Sequence, residues 1–230
     1  FATSSPGCPL MRVSPRLVLR AHLPCQIRVS LALRPEGHFD TSRSTLPSPT
    51  PITRIALIVY LPLGLFALAW AWLADDRFAW SLDSPWMAAP YPTRLALSLS
   101  LGAVLALLVV ATTPYLLERA AWARALHDEM KEIIATLSTS EVTVLALASG
   151  FAEELFFRGA LQPALGLLSS SLIFGVLHIG PKRAFLAWPL WAFVMGLIFG
   201  AIFELTGVLW GPVLAHVWIN QRNMSFIQRH

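Results

Sequence analysis

Apolar residues in this chain run in long blocks instead of alternating. Six blocks stand out, at about 55–74, 94–117, 141–158, 161–180, 184–203 and 205–221. The first two are nearly free of charge. A helix of about 20 residues crosses a hydrocarbon core of about 30 Å, so the pattern predicts an all-α polytopic transmembrane helix bundle of about six spans. Residues 119–140 break the run. They set Arg119, Arg124, His127, Asp128, Glu129, Lys131 and Glu132 among Ala, Leu, Ile and Trp122, which reads as an amphipathic helix at the interface or in the cytoplasm.

Before residue 54 the blocks are missing. Residues 1–53 hold eight of the 17 prolines with many serines and arginines, the composition of a disordered or non-native tail. The chain begins at Phe1 instead of Met, which suggests a fragment or carried-over upstream sequence; an organelle-targeting peptide is the weaker alternative. Residues 54–230 form the membrane-embedded domain.

Composition sharpens this division. The 230 residues are 56% hydrophobic and 13% charged, with a mean hydropathy of +0.62, values outside the range of soluble globular domains. The formal net charge of +4 comes from the first 54 residues, which carry seven basic residues against Glu36 and Asp40; the remainder nets −1. No basic face exists to grip phosphate, so nucleic acid is excluded as a partner. Both cysteines, Cys8 and Cys25, lie in the tail, which removes disulfide, thiolate and Cys-ligated metal chemistry from the body. Basic residues in the tail, in 118–140, at Lys182 and Arg183, and at Arg222 and Arg229 fall on one side of a six-span arrangement, which makes that side cytoplasmic and both termini with it.

Two lesser features fit a bundle in lipid. Gly196 and Gly200 form a small-xxx-small pair suited to close helix packing. Trp70, Trp72, Trp86, Trp188, Trp191 and Trp210 gather toward the span ends, as an interfacial aromatic belt does.

Some polar residues have no ordinary place in such a chain. Glu153, Glu154 and Arg158 interrupt the third block, where each charge near a helix centre costs about 2.5–3.5 kcal/mol. Glu154 and Arg158 are spaced i, i+4 and pair on one face, leaving Glu153 about 100° around the helix without that partner. Phe174 and His178 share a spacing of four in the next block, as do His216 and Asn220 in the last. Such a set suits a polar network fixing helix register, an ion path, or hydrolysis. Carboxylate, imidazole and carboxamide together supply a base for water, a proton carrier and oxyanion donors. Transporters commonly show internal repeats, and none is evident across 55–230.

The ordered set Glu153-Glu154-x-x-x-Arg158, Phe174-x-x-x-His178 and His216-x-x-x-Asn220 resembles the three motifs of the CPBP intramembrane proteases, the CAAX protease and bacteriocin-processing (Abi) family. The flanking Phe-Arg-Gly-Ala-Leu-Gln and Leu-Thr-Gly-Val-Leu-Trp-Gly-Pro sequences also resemble it, and the likeness covers about 140–221. It implies an endopeptidase cleaving a membrane-associated peptide or protein, multi-pass in a bacterial inner membrane, with a polar site inside the last four spans. By the same resemblance Glu153 and His178 activate water, His216 and Asn220 hold the oxyanion, Glu154 and Arg158 position the acidic helix, and Phe174 shapes the site. No cofactor is required on this reading. Zinc is the alternative, with Glu153, His178 and His216 as its ligands, although no His-Glu-x-x-His signature is present. A non-catalytic immunity or scaffold protein of the same family is the rival from another class.

Other intramembrane proteases fit less well. Around Ser149 the chain reads Leu-Ala-Ser-Gly and lacks the first glycine of a rhomboid Gly-x-Ser-Gly, and no Gly-x-Gly-Asp occurs. Glu204 reads as an interfacial residue.

Overall fold

The computed structural model describes residues 50–230, and these are helical nearly throughout. The tail expected over 1–53, with Cys8 and Cys25, lies outside the described residues except for its last four. Those four already belong to the body. Thr50 caps α1 (Pro51–Asp75), its side chain accepting the Thr53 backbone N–H, and proline occupies the first turn, where its missing N–H costs no hydrogen bond.

Next come α2 (Tyr91–Arg119), α3 (Ala121–Ile134) and α4 (Thr139–Glu154). The charged segment is α3, separate from the spans as its composition predicts. The helix begun by α4 continues through π-helical turns over Leu155–Leu161 into the short α5 (Gln162–Leu165). Gly166, with φ +84°, stops it. The stretch expected as a full span over 161–180 is therefore divided between α5 and α6 (Leu167–Val176). A 3₁₀ turn at Arg183–Leu186 leads into α7 (Ala187–Thr206), and α8 (Trp210–Arg229) runs eight residues past the expected end of the last block.

Among the described residues three helical stretches are long and apolar enough to cross a membrane: Pro51–Asp75, Tyr91–Arg119 and Arg183–Thr206. A fourth exists if the bent pair Ala121–Ile134 and Thr139–Leu165 is one span. The segments that raised the expectation to about six are α4, α6 and α8. They fall short because α6 is brief and because α4 and α8 carry the polar residues of the site. The protein is an all-helical integral membrane protein.

Close backbone approaches position these helices. A Cβ at Gly102 of α2 would lie 2.2 Å from the Gly211 carbonyl of α8, and one at Gly211 would lie 2.0 Å from the Ser98 carbonyl. Ser98 itself donates to the Val208 carbonyl (2.8 Å) and accepts from the Gly211 N–H (3.1 Å). At Gly150 of α4 a Cβ would meet Val217 of α8 at 2.5 Å. The Gly196 and Gly200 pair predicted for close packing does face Ser171 and Gln162. At Gly102, Gly211 and Gly150 a missing side chain brings two backbones together, and dispersion rewards the contact in lipid, where hydrophobic exclusion cannot.

Both ends of the described residues lie at one end of the bundle. Glu141, at the start of α4, accepts from Thr50 N (2.6 Å) and Thr53 Oγ1 (3.0 Å), while Gln228 of α8 donates to the Leu137 carbonyl (2.7 Å). At the opposite end the 76–90 loop binds the α7–α8 turn, with Trp86 N–H on Glu204 O (2.9 Å) and Leu82 N–H on Gly207 O (3.1 Å). Glu204 accepts from buried Gln162 as well (3.0 Å).

Candidate active site

The last turn of α4 presents Glu153 and Glu154 on different faces, and both are buried. Glu154 points into the bundle, fully enclosed. Its Oε1 accepts from Arg158 Nη1 at 2.9 Å, the i, i+4 pair read from the sequence. The same oxygen accepts from His216 Nδ1 of α8 at 2.7 Å. Sequence spacing gave no sign of this second bond, because it joins helices 62 residues apart. Arg158, 1% exposed, stacks its guanidinium 4.4 Å over the ring of Phe174 and 5.2 Å over that of Phe199. These faces accommodate a buried cation that has a single hydrogen-bonded carboxylate.

Glu153 faces a cavity of about 770 Å³ with a largely apolar lining. Its Oε2 is buried and accepts no hydrogen bond. The two nearest imidazole nitrogens converge on it, His178 Nε2 at 3.9 Å and His216 Nε2 at 3.8 Å. The opposite nitrogen of each ring is tied. His178 lies in the turn after α6 instead of on a continuing helix, and its Nδ1–H donates to the Phe174 carbonyl (2.7 Å), one of the orphan acceptors at a helix end. His216 donates Nδ1–H to Glu154. Each tie fixes which nitrogen meets the cavity, and in both rings it is Nε2.

Asn220, one turn beyond His216, directs Nδ2 to Ser149 Oγ of α4 at 3.0 Å. Glu153, His178, His216, Asn220 and Phe174 all line the one cavity; Glu154 and Arg158 stand behind it. The residues of the three motifs are therefore gathered into one place. Several neighbours carried no signal of their own. Phe199 stacks on His216 with ring centroids 5.4 Å apart, and Trp188, expected only in an interfacial belt, makes a T-shaped contact with His178 at a centroid distance of 5.3 Å. Tyr60 of α1 lines the cavity and faces Glu153.

Zinc with bonds of about 2.0–2.1 Å needs donors roughly 3.3 Å apart, and the Glu153 to histidine separations exceed this. Among the described residues no group of three or more His, Cys, Asp or Glu side chains is arranged to hold a metal ion.

Residues 135–221 match the family described as type II CAAX prenyl endopeptidase Rce1-like. This segment is similar to that family. It contains all the motif residues and excludes α1, α2 and Tyr60. A curated relative, the uncharacterized protein YpbD of Bacillus subtilis (strain 168), is 39% identical over 92 residues. That match covers 39% of this chain and 47% of the relative, so the chain spans about half the length of the relative it matches. No solved structure matches. The matched family is, by its description, one of endopeptidases.

Proposed function

We propose that this protein is an intramembrane endopeptidase of glutamate type, hydrolysing a membrane-associated peptide or protein at the Glu153 cavity. The observation that carries the reading is the convergence of two tautomer-fixed imidazoles on a buried carboxylate oxygen that accepts no other bond. A water bridging Glu153 Oε2 and His178 Nε2, 3.9 Å apart, makes ordinary hydrogen bonds to both. Glu153 takes a proton from that water, and the neutral Nε2 of His178 accepts its second hydrogen and orients its lone pair. The hydroxide adds to the scissile carbonyl, and Glu153 returns the proton to the departing amine. His216, its Nδ1 held by Glu154, presents Nε2 beside the Asn220 amide, and the two hold the developing oxyanion.

Glu154, Arg158 and Phe174 act as support, since Glu154 orients His216 while Arg158 neutralises Glu154. No step is routed through a metal. The membrane we assign is the bacterial inner (cytoplasmic) membrane, supported by the Bacillus subtilis relative. The apolar lining supports a substrate that is lipidated or itself membrane-embedded.

The test uses detergent-purified protein and its E153Q variant against a panel of lipidated and transmembrane peptides, with and without a strong chelator. Cleavage by the native protein alone, indifferent to chelator, is the expected result. Chelator-sensitive cleavage restored by zinc would overturn the metal-free mechanism, and cleavage by E153Q would overturn the role of Glu153.

A further inference from the structure

Ser149 has no part in the family motifs given above, and its sequence context argues against a rhomboid nucleophile. It nevertheless stands one helical turn before Glu153, on the same face of α4, and lines the same cavity while only 7% exposed. Its hydroxyl lies 3.4 Å from the Ala146 carbonyl of its own helix and 3.0 Å from Asn220 Nδ2. The two bonds have complementary directions. A proton turned back to Ala146 leaves a lone pair facing α8, and a lone pair requires a donor.

That requirement matters because a carboxamide has two chemically opposite ends. With its oxygen toward the cavity, Asn220 would repel a developing negative charge; with an N–H there, it stabilises one. The contact between Gly150 and Val217 holds α4 and α8 close enough for Ser149 Oγ and Asn220 Nδ2 to meet at 3.0 Å. Ser149 and Asn220 flank that contact along the two helices.

We propose that Ser149 is a positioning residue: by accepting one Nδ2–H it fixes the carboxamide of Asn220 and leaves the second N–H for the substrate oxyanion. The proposal rests on the endopeptidase reading and adds to it a residue that acts through Asn220.

The chain contains two asparagines, Asn220 and Asn223, so protein labelled with ¹⁵N at the asparagine side chains shows two amide pairs, and N223A identifies which is which. In S149A the Asn220 pair moves and the Asn223 pair stays. Unmoved Asn220 resonances overturn the proposal without reference to activity. In the cleavage assay S149A lowers kcat about ten-fold, less than the roughly hundred-fold typical of losing an oxyanion donor outright, with KM unchanged. S149T, which keeps the hydroxyl, restores kcat. In an N220A background S149A has no further effect, as expected for residues acting as one unit. An additive loss in that background, or unchanged kcat in S149A, overturns the positioning role. An inert wild type whose Asn220 amide still responds to S149A overturns the endopeptidase reading instead.

Discussion

The wall formed by α1 and α2 and the enclosure formed by α4, α6 and α8 are both helical, yet they obey different rules. On the wall, large side chains such as Leu61, Leu73 and Leu108 are more than half exposed in the isolated chain. Lipid is their partner, so almost any apolar residue suits these positions. Within the enclosure Glu153, Glu154, Arg158 and His216 are buried, and each depends on particular atoms of another helix or turn. The wall is thus specified by composition and a stripe of small residues. The enclosure is specified pair by pair, because a polar group in hydrocarbon has no water to fall back on.

The sharpest way to probe that difference is E153Q, which keeps the shape of the side chain and removes its basicity. It should lower kcat/KM by at least about a hundred-fold while leaving thermal unfolding in detergent unchanged. Loss of folding instead of activity would make Glu153 a structural residue. Next in size is R158A, which strips Glu154 of its cation while leaving His216 attached. Removing one partner of a buried pair costs about 3–5 kcal/mol, so accumulation in membranes should fall steeply. Normal accumulation with normal activity would contradict the ion-pair assignment.

G211A tests the seam where wall meets enclosure. Its methyl group would have to displace the Ser98 carbonyl, and overpacking of this kind costs about 1–3 kcal/mol. A lowered unfolding temperature in detergent is expected, and an unchanged one would mean that α2 and α8 can separate freely. Smallest of all, L61A on the outer face should change stability by no more than about 0.5 kcal/mol. A larger loss would show that this surface contacts protein instead of lipid.

A surface pair completes the contrast. Lys182, in the turn after His178, pairs with Glu129 and Glu132 of α3. Its hydrogen bond to Glu129 raises the pKa of the ammonium above its ordinary value, opposed by partial desolvation. The sign follows directly: any stability from this pair is present below the ordinary lysine pKa and lost as pH rises through the raised one. An exposed pair of this kind contributes little in any case.

Particular residues show where sequence reading reached its limit. The Glu154–Arg158 pair was visible because both groups lie on one helix at a spacing of four, where geometry follows from the helix itself. The Glu154–His216 bond was not, since no local rule links positions on α4 and α8. His178 was expected on a helical face, but α6 ends at Val176 and the ring instead caps the Phe174 carbonyl. Ser149 was one turn from Glu153 all along. Only its contact with Asn220 gives that spacing a meaning.

The sequence by itself determined the helical class, the membrane setting, the charged helix apart from the spans, and which side chains are too polar for their surroundings. These follow from transfer free energies and helical periodicity, which are local properties of the chain. The tertiary structure alone decided where helices break, which nitrogen of each imidazole meets the cavity, and that one carboxylate serves both Arg158 and His216. Those outcomes depend on how closely two backbones approach, and that distance is set by pairs of residues far apart in the chain.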